Sequence, residues 1–383
     1  MSALFWEIDN TPRDYAWGQI DGVARVRGTA GHGNREAELW LGAHPSAPSV
    51  FVGGAPWPAL DEWERASGGR LPFLLKILCA AEPLSLQAHP STAQAQEGFA
   101  RENERGIPLD AAHRNYRDPH AKPELIVALH DGFEALCGFR AVADVQSDLD
   151  ALAALTASDE LPGLQIWRDL LTGEDGIRRA FLWLLSGDDA IPPLVSAAVS
   201  AGAHDARFTV LTPIATAHPG DPGILGALML QHVTLRAGEA LWLPAGNIHA
   251  YLLGAGIELM GPSDNVLRGG LTPKHIDTEE LGRVLDAREG GDPRLVPEER
   301  GDGVRRFYPG GDEGNPGFEL YASEGSGEIS IPGPGIALVT DGSFTLESEG
   351  EHIEVPRGRA VFIARSAAIR VEGAGRLFLA TGA

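Results

Sequence analysis

Apolar positions in the first 130 residues come in short runs broken by Gly and Pro, as in LPFLLKILC and KPELIVALH, which predicts β-strands joined by turns. Two patches depart from this. Trp57 to Ala66 and Ser91 to Glu104 read as helices, the second opening after Pro90-Ser91 with Phe99 as its inward anchor. Between about Arg140 and Gly202 the apolar spacing changes to three-to-four, and VADVQSDLDALAAL, IRRAFLWLLSG and PPLVSAAVSAG predict a helical insert. Strand signals return from Arg207 with FTVLTPIA, LMLQHVTL, EALWLPAG and NIHAYLL. One further helix is predicted over Thr278 to Asp286. A Gly-, Pro- and acid-rich stretch follows from about Ala287 to Gly317, and the remainder reads as short strands with Gly turns.

A weak internal repeat overlays RAGEALWLPAGNIHAY (Arg236 to Tyr251) on PRGRAVFIARSAAIRV (Pro356 to Val371), matching Gly238 with Gly358 and Ala240 with Ala360. Ile369 stands where His249 stands in the first copy, so chemistry that needs the imidazole belongs to the first copy alone.

Composition narrows the function classes. A chain of 383 residues predicts two or three packed units, because single cores stop growing at roughly 250–300 residues. A net charge of −22 repels phosphate backbones and anionic lipid, so nucleic-acid and membrane-surface partners are not expected, and any anionic ligand must find a local basic pocket. No apolar run approaches the roughly 18 residues that cross a bilayer. Two cysteines, Cys79 and Cys137, make no disulfide framework, and the start MSALFWEIDN lacks the look of a signal peptide; a cytoplasmic location is expected. Only three of the 31 basic residues are lysines, Lys76, Lys122 and Lys274. In so Lys-poor a chain these are expected to mark places where a compact, titratable cation does what a planar guanidinium cannot, with chance survival the alternative.

The chemistry-bearing positions sit inside the predicted strands. In LPFLLKILCAAEPLSLQAHP, residues two apart share a face, so Ser85, Gln87 and His89 point together, opposite Leu84, Leu86 and Ala88. KPELIVALH places Lys122 and Glu124 on one face, and a carboxylate entering an apolar run is costly unless it is paired or ligates a cation. NIHAYLL aligns Asn247, His249 and Tyr251. Two imidazoles, a carboxylate and an amide oxygen form a candidate four-donor set for one divalent metal ion, zinc first, with manganese, iron or cobalt as alternatives; a satisfied polar core is the competing reading. A fourth segment, GIELMGPSDNVLRGGLTPKHID, carries Glu258, Arg268 and Lys274 around Gly269-Gly270, where backbone can approach a ligand and Arg and Lys can bind phosphate.

Together the blocks YAWG (Tyr15 to Gly18), ELWLGAHPSAPS (Glu38 to Ser49), PLSLQAHP, YRDPHAKPEL (Tyr116 to Leu125) and HAYLLGAGIELMGPSDNVLRGGLTPK (His249 to Lys274) resemble, in order, those of the type I mannose-6-phosphate isomerases, metal-dependent enzymes of the cupin superfamily. The resemblance implies a mainly β fold of two cupin-type jelly-roll barrels plus an α-helical domain. The catalytic barrel would be formed by residues 1–138 and 206–277, the helical insert by 139–205, and a second jelly roll without metal ligands by 278–383. It implies Gln87, His89, Glu124 and His249 as zinc ligands, Arg268 as the catalytic arginine and Lys122 near the reacting carbons. There are departures: His120-Ala121 precede Lys122 where the family has Asn-His, Ser91-Thr92 follow His89-Pro90 in place of Asp-Lys, and Gly261 and Gly269 replace alanines.

The implied reaction interconverts mannose 6-phosphate and fructose 6-phosphate. A proton leaves C2 and arrives at C1 through an enediolate, which needs a base and fixed positive charge. Glu258 and Lys122 are the alternatives for the base. Lys274, Lys76 and Ser85 are candidates to grip the phosphate of this phosphorylated hexose substrate, with a snorkelling role the alternative for Lys76. The rival from another class is a non-catalytic, metal-containing sugar-binding or regulatory protein of the same architecture.

Overall fold

The computed structural model describes residues 3–156, 161–310 and 317–382; part of the Gly- and Pro-rich stretch, residues 311–316, lies outside the described residues. The architecture is mainly β, with two large sheets and most helices gathered between residues 142 and 228.

The first sheet is organised around strand His249–Met260. Its opening residues pair antiparallel with Leu86–Ala88 and Phe133–Phe139, and its second half with Leu74–Ala80 and Glu124–Ala128. A register shift between Tyr251 and Leu253 lets one strand serve both sets of partners, the kind of re-aiming a bulge supplies. Strand Leu74–Ala80 is buried throughout because both of its faces are covered. Leu75, Ile77 and Cys79 pack with Phe318, Leu320, Phe362 and Phe378 of the second sheet, whereas Leu78 and Ala80 share an inner cluster with Ile126, Ala128 and Tyr251. Lys76 points with the inner set, by the two-residue alternation.

The helices cover a separate surface of this sheet. Leu86, Ala88, Leu136, Ile248, Ala250 and Leu267 form one core with Trp167, Phe181, Leu194 and Phe208. Helices Val142–Leu155, Pro162–Leu171, Gly176–Leu184 and Ile191–Ala201 fall within the stretch whose apolar spacing predicts them. FTVLTPIA, expected as a strand, instead runs into helix Leu211–Ala217. Leu211 and Ile214, three apart, are both buried in the helical core, and that burial overrides the β-branched composition. Helix Gly223–Leu228 extends the helical region further.

The second sheet collects the C-terminal strands, including the long pair Gly335–Ser348 and Ala367–Gly382. It also takes in the start of the chain: Phe5–Asp9 pairs with Ala360–Ile363 on one side and with Val50–Phe51 on the other. The two halves of the sequence repeat share a local device. Gly238 and Gly358 each adopt φ 82° two residues before strands Ala240–Leu243 and Ala360–Ile363 begin. Ile369 is fully buried among apolar side chains, filling with hydrocarbon the place that His249 uses for a polar donor.

Helix Thr92–Glu104 begins at Ser91, whose Oγ accepts the Gln94 N–H at 3.3 Å while Gln94 Oε1 accepts the Ser91 N–H at 2.9 Å. The Ser91 departure is thus a helix cap. The buried face is Ala95, Gly98 and Glu102; Phe99, the expected anchor, is only half-buried beneath the Arg114 guanidinium, 5.3 Å from its ring centre. Helix Thr278–Val284 matches the prediction to within its end. Among the described residues no helix is long and apolar enough to cross a membrane.

Candidate active site

Strand pairing gathers the site from distant segments. His249 lies opposite Gln87, and Gln87 lies opposite Arg268 on its other side, so three side chains from three strands share one face. Glu124 opens the neighbouring strand Glu124–Ala128, held by Pro123, whose carbonyl accepts the Gly261 N–H at 3.0 Å. His89, Glu124 and His249 bring one donor atom each to within 4.8 Å of one another, and all three are buried. His89 Nε2 is 3.2 Å from Glu124 Oε1, and His249 Nε2 is 3.1 Å from Oε2. Yet His89 Nε2, His249 Nε2 and Glu124 Oε2 have no properly directed hydrogen bond. Three buried polar atoms converging without partners carry a large desolvation cost unless a cation fills the space between them.

The protonation states suit that reading. Burial, then the Lys122 charge, pushes the His89 imidazole down to about 4, so it is neutral and free to donate a lone pair. Burial alone would raise Glu124, but the Lys122 charge holds its carboxyl well below the ordinary range. Each ring is oriented through its other nitrogen: His89 Nδ1 donates to the Asn265 carbonyl at 2.7 Å and His249 Nδ1 to the Asn247 carbonyl at 3.1 Å. A backbone acceptor behind each imidazole that turns Nε2 toward a shared point is the usual support of metal-ligating histidines.

Lys122 Nζ lies 3.0 Å from Glu124 Oε1. Lys76 is buried deeper, 3.1 Å from Glu258 Oε2 and 3.4 Å from Glu38 Oε1, with Nζ 5.0 Å from the centre of the Trp40 ring. Register explains the group: Glu258, Lys76 and Trp40 are directly opposite one another on three adjacent strands. Burial pushes the Glu258 carboxyl up against the downward pull of Lys76, and the two carboxylates outweigh burial to hold the Lys76 ammonium above its ordinary value. Lys76 is therefore fully engaged by carboxylates. Tyr251 adds a buried hydroxyl without a hydrogen-bond partner among the described residues, kept protonated by burial and by nearby Glu258.

Arg268 and Lys274 lie in a different electrostatic setting. Burial and then the charge of Arg117 lower Arg268, while burial, Arg268 and Arg117 lower Lys274. Among the described residues none of these three cations has a salt-bridge partner, in a chain with 53 acidic residues. Ser85 is half-buried just before strand Leu86–Ala88. Gly269-Gly270, expected to admit a ligand, instead admit the helical insert: a Cβ on Gly270, at φ +123°, would sit 2.7 Å from the Gly223 Cα, and one on Gly269 would press Ile248 and Phe181. Gly261 likewise leaves room for the Ala121 carbonyl.

Sequence reasoning missed Glu38, Arg117 and Asn265. Glu38 carries the signal used for Glu124, a carboxylate entering the apolar run ELWL. Arg117 and Asn265 lie outside regular secondary structure, where no periodicity marks an inward residue.

The family model for the phosphomannose isomerase type I catalytic domain matches residues 5–142. The chain is 33% identical to mannose-6-phosphate isomerase of Salmonella typhimurium over 97% of its own length and 98% of the relative's. It is 30% identical to mannose-6-phosphate isomerase 1 of Arabidopsis thaliana, covering 96% and 91%. A zinc-bound crystal structure of mannose 6-phosphate isomerase superposes with a TM-score of 0.88 at 30% identity, covering 99% of this chain and 100% of that one. The length of the match, through every segment that supplies a side chain to the site, shows that the chain belongs to the type I phosphomannose isomerase family.

Proposed function

We propose that the protein is a zinc-dependent aldose–ketose isomerase that interconverts mannose 6-phosphate and fructose 6-phosphate. The observation that carries the reading is the convergence of His89 Nε2, Glu124 Oε2 and His249 Nε2, buried and without a hydrogen-bond partner among the described residues, together with Arg117, Arg268 and Lys274, which have no salt-bridge partner among those residues in a strongly acidic protein. His89, Glu124, His249 and the amide of Gln87 would hold the zinc, which when bound supplies Lewis-acid stabilisation of oxyanion charge. Arg268, across the strand from Gln87, adds a permanent positive charge for the enediolate. Glu258 and Lys122 remain the alternatives for moving the proton between C2 and C1, both being buried groups with paired charges. Lys274 and Arg117 are the pair best suited to the phosphate. Lys76, matched by two carboxylates, supports a role in setting Glu258 instead, and Ser85 remains a candidate phosphate contact. The sheets and the helical segment fit two cupin-type jelly rolls with a helical insert, in which the second carries Ile369 where the first carries His249. A cytoplasmic location agrees with two buried, unbridged cysteines.

A coupled assay for fructose 6-phosphate should show turnover of mannose 6-phosphate and little of free mannose; no turnover of either would overturn the isomerase reading in favour of a binding protein. In the same assay Lys274→Met should raise KM for the phosphorylated sugar about 10- to 100-fold, the worth of one charge-assisted contact, with kcat much less affected. Equal weakening of phosphorylated and free sugar binding would remove Lys274 from the phosphate site.

A further inference from the structure

We infer that Asn265 is a positioning residue that ties the two halves of the metal-binding set to each other, an inference that rests on the reading of His89, Glu124 and His249 as ligands. Asn265 is fully buried, and every polar group it owns is committed. Its carbonyl accepts the His89 Nδ1–H at 2.7 Å. Its side-chain oxygen accepts the backbone N–H of Arg117 at 2.7 Å and that of Asp118 at 3.3 Å. Its side-chain nitrogen donates to the carbonyls of Asp118 at 2.8 Å and His120 at 2.9 Å. The flanking residues reinforce the tie: Ser263 Oγ donates to Asp118 Oδ1 at 2.8 Å, and the Asp264 N–H donates to Asp118 Oδ2 at 2.9 Å.

The segment held this way, 117–120, has no helix or strand ladder of its own, so these bonds set its course. It leads directly into Lys122, Pro123 and Glu124. On the other side, Asn265 precedes Arg268 by less than one short strand. One amide therefore fixes the tilt of the His89 ring through its main chain and the entry of Glu124 through its side chain. Both must be right at once for the donors to converge. An aspartate at this position would keep the shape but replace two donors with an acceptor facing two carbonyls, and the segment would be pushed away.

The test is titration of zinc into metal-free protein by chelator competition, with urea unfolding of the metal-free form as a parallel reading. Asn265→Asp should weaken zinc binding ten- to a hundredfold, the range expected for a group supporting a ligand, and Ser263→Ala should weaken it in the same direction by less. Val361→Ala, in the distant core of the second sheet, should lower stability while leaving zinc affinity unchanged. Zinc affinity within twofold of the native protein for both site variants overturns the inference, as does equal weakening by Val361→Ala. Should Asn265→Asp fail to fold, Ser263→Ala decides by the same criterion. His249→Ala in the same titration separates the two levels: native zinc affinity there removes the ligand set itself, whereas loss there with native affinity in the Asn265 and Ser263 variants removes only the positioning role.

Discussion

Arg268→Ala is expected to lower kcat about 10²- to 10³-fold while metal content stays at the native level. The magnitude is that of removing one preorganised donor from developing oxyanion charge. Metal content should hold because the proposed ligands reach the site from other strands, and the His89 ring is braced by the Asn265 main chain rather than by Arg268. Stability should change little, since Arg268 is half-buried and has no salt-bridge partner among the described residues. Measuring turnover and bound metal on one sample checks this, and turnover within about threefold of native would take away the catalytic role.

Lys76→Met should be the most damaging single change to stability near the site. It leaves Glu38 and Glu258 buried without their shared counter-ion, and breaking a buried pair in this way costs about 3–5 kcal/mol, readable as a lowered urea midpoint. The same variant discriminates between the two candidate bases. Lys76 holds the Glu258 carboxyl down against burial, so its loss sends that carboxyl further up. A base must be deprotonated to act, and a higher value means it is deprotonated only at higher pH. If Glu258 is the base, the acid limb of the kcat/KM profile therefore moves to higher pH. An unmoved limb in a destabilised protein would assign the proton transfer to Lys122.

The parts of the molecule legible in sequence are those in which burial imposes a period. Gln87 and His89 opposite Leu86 and Ala88, and Glu124 before LIVAL, follow from strand alternation, and the helical insert follows from its three-to-four spacing. What the sequence hides is pairing over long separations. Nothing near Phe5–Asp9 announces Ala360–Ile363 as its partner, and nothing near Lys76 announces that Glu38 and Glu258 flank it on adjacent strands. FTVLTPIA shows local propensity losing to tertiary burial. Arg117 and Asn265 were invisible because loop residues are positioned by specific hydrogen bonds rather than by a repeating pattern.

The most direct measurement is metal content together with isomerase rate on the same protein, before chelation, after chelation and after zinc is returned. The expected result is one zinc per chain, loss of turnover in step with loss of metal, and recovery when zinc is restored. Undiminished turnover of mannose 6-phosphate by metal-free protein would contradict a working centre built on His89, Glu124 and His249.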